Sequence, residues 1–250
     1  MEDVAVVDAP VGGLSQVERV VDTFVAPSKT FADIKRSAAW WMPFLLVCIL
    51  STCYSFVLVH KVGYPALVDG IVHQTPALEE RLANATPEDA AKIRGTMEMQ
   101  FKFSYAAPVF LLIVALIVAG VLLLTANFGF GGTATYGQML AVWFYGTLPM
   151  AFITLLTIIV LYAGMGAESF NIKNPVGTNL GYFLQGGSSP HWLVTFATSI
   201  DVFTIWAAFL LGIGVSIVAG IKRSSGMIVV FGWLILVVLC KTAFSALTGS

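Results

Sequence analysis

Five long stretches of this chain carry almost no charge, and that feature limits what it can fold into more than any other. They run over about 39–60, 104–126, 139–163, 198–220 and 226–247, and the second holds the unbroken apolar block Val109–Leu124. A helix needs roughly 20 apolar residues to cross a hydrocarbon core of about 30 Å, and each stretch is long enough. None alternates with the period of two that a membrane barrel strand shows, and backbone in lipid must satisfy its own hydrogen bonds, so helices are the economical reading. Charged residues make up only 11% of the chain, against roughly 25% in an ordinary soluble domain. A water-soluble core of this size could not hide that much apolar surface. The expected fold class is therefore all-α: a polytopic membrane protein, a five-transmembrane-helix bundle preceded by an amphipathic N-terminal helix.

That helix belongs to an arm over residues 1–38. Leu14, Val17, Val21 and Phe24 recur at helical spacing with Gln16, Glu18, Arg19 and Asp22 between them. Pro27 ends the helix, and Ser28 opens a second one through Phe31 and Ile34. Packing of the apolar face against the protein's own bundle is the preferred setting; the lipid headgroups and a cytosolic partner are the alternatives. The arm holds six acidic residues and no apolar core, so it does not read as a cleavable signal peptide, and the first span is expected to act as its own insertion signal. Lys35 and Arg36 precede the first span, and Lys222 and Arg223 sit in the short turn between the fourth and fifth. An N-terminus on the cytoplasmic side places both pairs on the cytoplasmic face, as the positive-inside rule requires. The 43-residue segment 61–103 then becomes an outer loop, where two short helices are expected, one starting at Thr86-Pro87-Glu88-Asp89. Thr133 or Thr135 is placed to cap the third span.

Few residues offer chemistry. The net charge is −1, so no basic face is available for nucleic acid. Cys48, Cys53 and Cys240 lack metal-site or disulfide spacing and read as buried apolar residues. Neither a serine elbow nor a His-Glu-x-x-His motif is present, and the glycines of 129–132 lack the Gly-Lys-Ser/Thr ending of a phosphate-binding loop. No catalytic residue, cofactor or metal is expected. Asp201 and Lys241 are the charges within spans, and an intramembrane charge is by default a functional-site candidate. At 1.5 Å per residue they lie about 31 Å and 27 Å from the basic turn on adjacent antiparallel helices. An ion pair setting helix register is the preferred reading. The alternatives are an Asp near the helix start with a lysine reaching outward, a proton or cation site, and contact with a lipid headgroup or partner. Gly212, Ser216 and Gly220 recur every four residues and suit close helix packing, within the bundle or in self-association.

In order and spacing, several short elements resemble the Yip domain family of small polytopic membrane proteins. The arm Phe24-Val-Ala-Pro27-Ser-Lys-Thr-Phe31 is similar to that family's approach to the first span, followed by Trp40-Trp41 and Pro43. Gly131-Gly132 leads toward Tyr145-Gly-Thr-Leu-Pro149, similar to a Tyr-x-x-x-Pro element, and Asp201-Val-Phe203-x-x-Trp206 resembles the entry to the fourth span. The resemblance covers about 20–247. It implies a five-helix bundle with a cytosolic N-terminus. Eukaryotic members are associated with Rab-type GTPases and vesicle trafficking. The short arm and long outer loop look more like the bacterial branch, so GTPase binding is implied only by resemblance and is not carried over. The expected function is that of a non-enzymatic integral membrane protein of a bacterial cytoplasmic membrane, which organises membrane or recruits partners. Its expected partners are membrane lipid and other membrane proteins or a second copy. An accessory subunit or small component of a transport or export system is the alternative.

Overall fold

A computed structural model describes residues 13–164, 170–171, 174–184 and 189–248. Among these residues the regular elements are helices, with one isolated bridge between Asn179 and Asp201. The arm forms α1 (Gln16–Val25) and α2 (Pro27–Arg36), followed by α3 (Trp41–Lys61). Next come α4 (Tyr64–His73), α5 (Pro76–Ala83), α6 (Pro87–Lys102) and α7 (Ala107–Leu124), then α8 (Tyr136–Gly146) and α9 (Ala151–Tyr162). The last three are α10 (His191–Thr198), α11 (Val202–Ala219) and α12 (Arg223–Thr248). Among the described residues, five helical stretches are long and apolar enough to cross a membrane: Trp41–Lys61, Pro87–Gly129, Tyr136–Tyr162, Val202–Ala219 and Arg223–Thr248.

Local chemistry sets the boundaries. Ser15 caps α1 in a capping box, its hydroxyl accepting from the Glu18 amide while the Glu18 carboxylate accepts from the Ser15 amide. Pro27 cannot donate to α1, so α1 stops at Val25 and the proline becomes the first residue of α2. Of the two threonines placed to cap the third span, Thr135 does so, in a second capping box with Gln138. Pro149 interrupts that span with a short 3-10 turn over Leu148–Met150 between α8 and α9. The segment 61–103 holds three helices rather than two. Thr86 caps α6 as its sequence suggests, but α6 does not stop at the membrane. It runs through a 3-10 turn, Phe103–Ala106, into α7, because nothing between Lys102 and Ala107 breaks a helix.

The chain divides into two compact units. The first takes the chain up to Val47, Leu111–Met150 and Thr204–Val237. Its centre is α8, which is buried all round from Met139 to Gly146, the signature of a core helix. Here α11 and α12 touch at backbone distance. A Cβ on Gly226 would run into the Gly212 carbonyl and lie 2.8 Å from Ser216 Cβ, and one on Gly212 would lie 2.5 Å from Met227 Sδ. Gly220 does other work: its φ of +69° closes α11, its amide bonding to Ile217 O and the Ile221 amide to Ser216 O. So the four-residue spacing of Gly212, Ser216 and Gly220 joins two packing positions to a turn. The second unit takes Cys48–Phe110, Ala151–Phe203 and the chain from Val238. Val57, Leu58, Leu67, Leu161 and Phe170 form its core, and Asp69 of α4 pairs with Arg94 of α6. Cys53 and Cys240, expected to be buried, are exposed on their helices, as an apolar thiol can be where the surroundings are lipid.

The α11–α12 contact yields a contrast between two glycines of one helix. Gly226→Ala should lower the melting temperature of the purified protein through overpacking worth about 1–3 kcal/mol. Gly232→Ala meets open space and should leave it unchanged or raise it, since alanine is the better helix former by up to about 1 kcal/mol.

Candidate functional site

The densest constellation of buried polar groups lies in the first unit, where the arm meets α8 and α11. Arg19 and Thr23 of α1 and Thr30 and Asp33 of α2 are all buried. They face one another because Pro27 folds α2 back along α1. Arg19 Nε donates to Asp33 Oδ2 at 2.7 Å and Nη2 reaches the same oxygen at 2.6 Å, while Nη1 donates to Ser37 O at 2.9 Å. The hydroxyls of Thr23 and Thr30 both donate to the Arg19 carbonyl, at 2.7 and 3.0 Å. On its other oxygen, Asp33 accepts from Arg36 Nε at 3.0 Å. The Arg36 guanidinium lies over Gly13, whose φ of +71° and missing Cβ make room for it.

Burial pushes the Asp33 carboxyl up, but the hydrogen bonds from Arg36 and Arg19, the Arg19 charge and the Leu14 amide outweigh it, and the net pKa is lowered. A carboxylate so saturated stays ionised and has no room to take up a proton at neutral pH. The arrangement holds the two helices of the arm together.

The motif residues gather around this pair. Phe24 meets the Trp206 ring edge-on at 5.7 Å. Phe31 is fully buried, and Gly214 lets its ring lie where a Cβ would come within 2.9 Å of Phe31 and 2.7 Å of Val142. The Tyr145 hydroxyl donates to Gln16 Oε1 at 3.0 Å. Trp40 stacks on Phe144 at 5.3 Å, and Pro149 is buried in its turn. Five of the six residues taken from the motifs, Phe24, Pro27, Phe31, Tyr145 and Trp206, thus belong to one assembly of arm and spans.

In the second unit, Asp201 is buried just ahead of α11. It accepts from the Thr178 hydroxyl and, at 2.9 Å, from the Phe203 amide, the hydrogen bond of an N-cap. Lys241 lies on the exposed side of α12, and among the described residues the ion pairs do not join it to Asp201. The first unit also contains a cavity of about 400 Å³. Its walls are almost wholly apolar, formed by residues such as Val118, Leu122, Leu211, Trp233 and Leu234.

The helical spacing sets Arg19 among the polar residues between the apolar positions of α1, whereas the structure buries it together with Asp33. The available signal was the stripe Gln16, Arg19, Thr23 on α1 answered by Thr30 and Asp33 on α2, a polar face that two adjoining helices share.

Removing one partner of a buried ion pair strands the other, at about 3–5 kcal/mol. Arg19→Met and Asp33→Leu should each lower the melting temperature sharply, and the double change should cost less than the sum of the two, read by thermal unfolding. The pH dependence has a definite sign. With its folded-state pKa below the ordinary 3.8, Asp33 contributes stability that is complete above that value and lost as pH falls through the lowered one. Arm docking, followed by proteolysis of the arm, should be constant from about pH 8 to 5 and weaken only below about pH 4.

Comparisons with curated proteins and with solved structures find no match. The family model described as Yip1 domain matches residues 21–244, from the middle of α1 to the last turns of α12. The match takes in the arm from Val21 on, the long apolar helices as far as residue 244 and every motif residue named above, and this chain belongs to the Yip1 domain family of multi-pass integral membrane proteins.

Proposed function

We propose that this chain is a non-enzymatic protein that organises membrane or recruits partner proteins, in a bacterial cytoplasmic membrane with its arm on the cytoplasmic side. The observation that carries the reading is the saturated polar cluster. Arg19, Asp33, Thr23 and Thr30 spend their hydrogen-bonding capacity on one another and on Ser37 O, within the arm, and the folded arm is tied to α8 through Gln16 and Tyr145, which supports a protein whose working parts are its surfaces. Orientation is supported by the basic end of the first unit. Arg223 Nη2 donates to Ser28 Oγ at 2.9 Å, bringing the arm and the Lys222-Arg223 turn together, and an excess of Lys and Arg belongs on the cytoplasmic side. The short arm and long outer loop support the bacterial assignment. Membrane lipid and other membrane proteins, or a second copy of the chain, are the partners this reading requires, and GTPase binding is no part of it.

The test is photo-crosslinking of the tagged full chain in its native membrane, followed by identification of what is captured. Reproducible recovery of membrane-shaping, division or trafficking proteins is expected. Subunits of an export system recovered in fixed stoichiometry would replace this reading with that of an accessory subunit, and substrate turnover by the purified protein would contradict it outright.

A further inference from the structure

The burial of α1 is inverted. Arg19 is 1% exposed and Thr23 fully buried, while Val17, Val21 and Val25, one turn apart on the opposite face, are 61%, 53% and 73% exposed. In water the hydrophobic effect drives such a helix the other way round. Each valine left out forgoes favourable burial, and the buried guanidinium needs the whole set of partners described above. The observed setting is the stable one where the medium outside α1 is itself apolar.

The depth of α1 agrees. Phe24 meets Trp206, which lies about 20 Å along α11 from its Ala219 end at 1.5 Å per residue. At its other end, Gln16 is bonded to Tyr145, about 14 Å along α8 from Tyr136 on the same scale. The helix therefore lies alongside the membrane-crossing stretches, within their length. Its outer face continues theirs: Phe209, one turn from Trp206, is itself half exposed. The two acids on this side are tied locally, Glu18 to the Ser15 amide at 2.7 Å and Asp22 to Lys29 at 2.9 Å.

We infer that α1 is a re-entrant membrane helix whose Val17-Val21-Val25 stripe is immersed in the lipid acyl chains of the leaflet at the basic end. The polar face turned inward is what lets a helix with this sequence remain there. Lipid is the occupant because the stripe is apolar along its length and belongs to the helix that meets Trp206 of α11, one turn from the half-exposed Phe209.

The test uses the full chain with Cys48, Cys53 and Cys240 replaced by serine and single cysteines at Val17, Val21, Val25 or, as the aqueous reference, Lys222. Each is labelled with an environment-sensitive fluorophore and reconstituted alone into phosphatidylcholine–phosphatidylglycerol vesicles, with and without nitroxide-bearing lipid. The three α1 positions should emit to the blue of the Lys222 position and be quenched by the nitroxide lipid. Before labelling, their thiols should react about tenfold more slowly with a membrane-impermeant maleimide than the reference thiol. Emission and reactivity equal to the reference would place the stripe in water and overturn the inference. Shielding that lipid nitroxides do not quench, and that disappears as protein is diluted in the vesicles, would assign the stripe to a second copy and overturn it equally. Retained melting behaviour of the labelled proteins separates these outcomes from misfolding.

Discussion

A guanidinium and a carboxylate cannot be taken out of water separately, and the arm of this protein is built around that constraint. Arg19 and Asp33 come from helices joined only by Ala26, and their contact at 2.6 Å fixes the angle at which α2 folds back on α1. With that angle set, Phe31 enters the core beside Gly214, Phe24 reaches Trp206, and Gln16 meets Tyr145. Asp33 also binds Arg36, and Arg19 also binds Ser37 O, so the pair continues to the end of α2, from which α3 departs. Without the pair, two short helices of ten residues each would have little of their own to keep them folded, since isolated helices of that length are marginal.

The solvent explains the rest of the arrangement. A family of helices that cross a membrane has no hydrophobic drive to associate within lipid, and close packing with satisfied polar groups must replace it. The first unit shows both means. Gly212, Gly226 and Ser216 bring α11 and α12 to backbone contact, and the polar stripe of the arm is consumed against itself. The cavity of the same unit, walled by residues such as Leu122 and Leu234, is of apolar character.

The spans could be read from the sequence because a run such as Val109–Leu124 has one physical interpretation, and the caps at Thr86 and Thr135 because a hydroxyl ahead of a helix start has few uses. The arm was harder. Periodicity locates two faces on α1, and packing the apolar face on the bundle turns Val17 and Val21 inward, whereas the structure exposes both and buries Arg19. Gly220 fell on a packing repeat by coincidence, since a left-handed turn and a close approach both favour glycine. Asp201 could be singled out as a charge at the start of a span, but its hydrogen-bond partner Thr178 comes from a nearly uncharged connecting segment whose path no local pattern reveals. The motif residues were recognisable by order and spacing alone; that Phe24, Phe31, Tyr145 and Trp206 converge is a property of the fold.

Hydrogen exchange of the full chain in lipid nanodiscs tests most directly the claim that the arm is an integral part of the membrane fold. Backbone amides of residues 16–36 should be protected to a degree comparable with α8, and lose that protection together when Asp33 is replaced by leucine. Exchange of the arm at the rate of an unstructured segment in the unsubstituted protein would contradict the account.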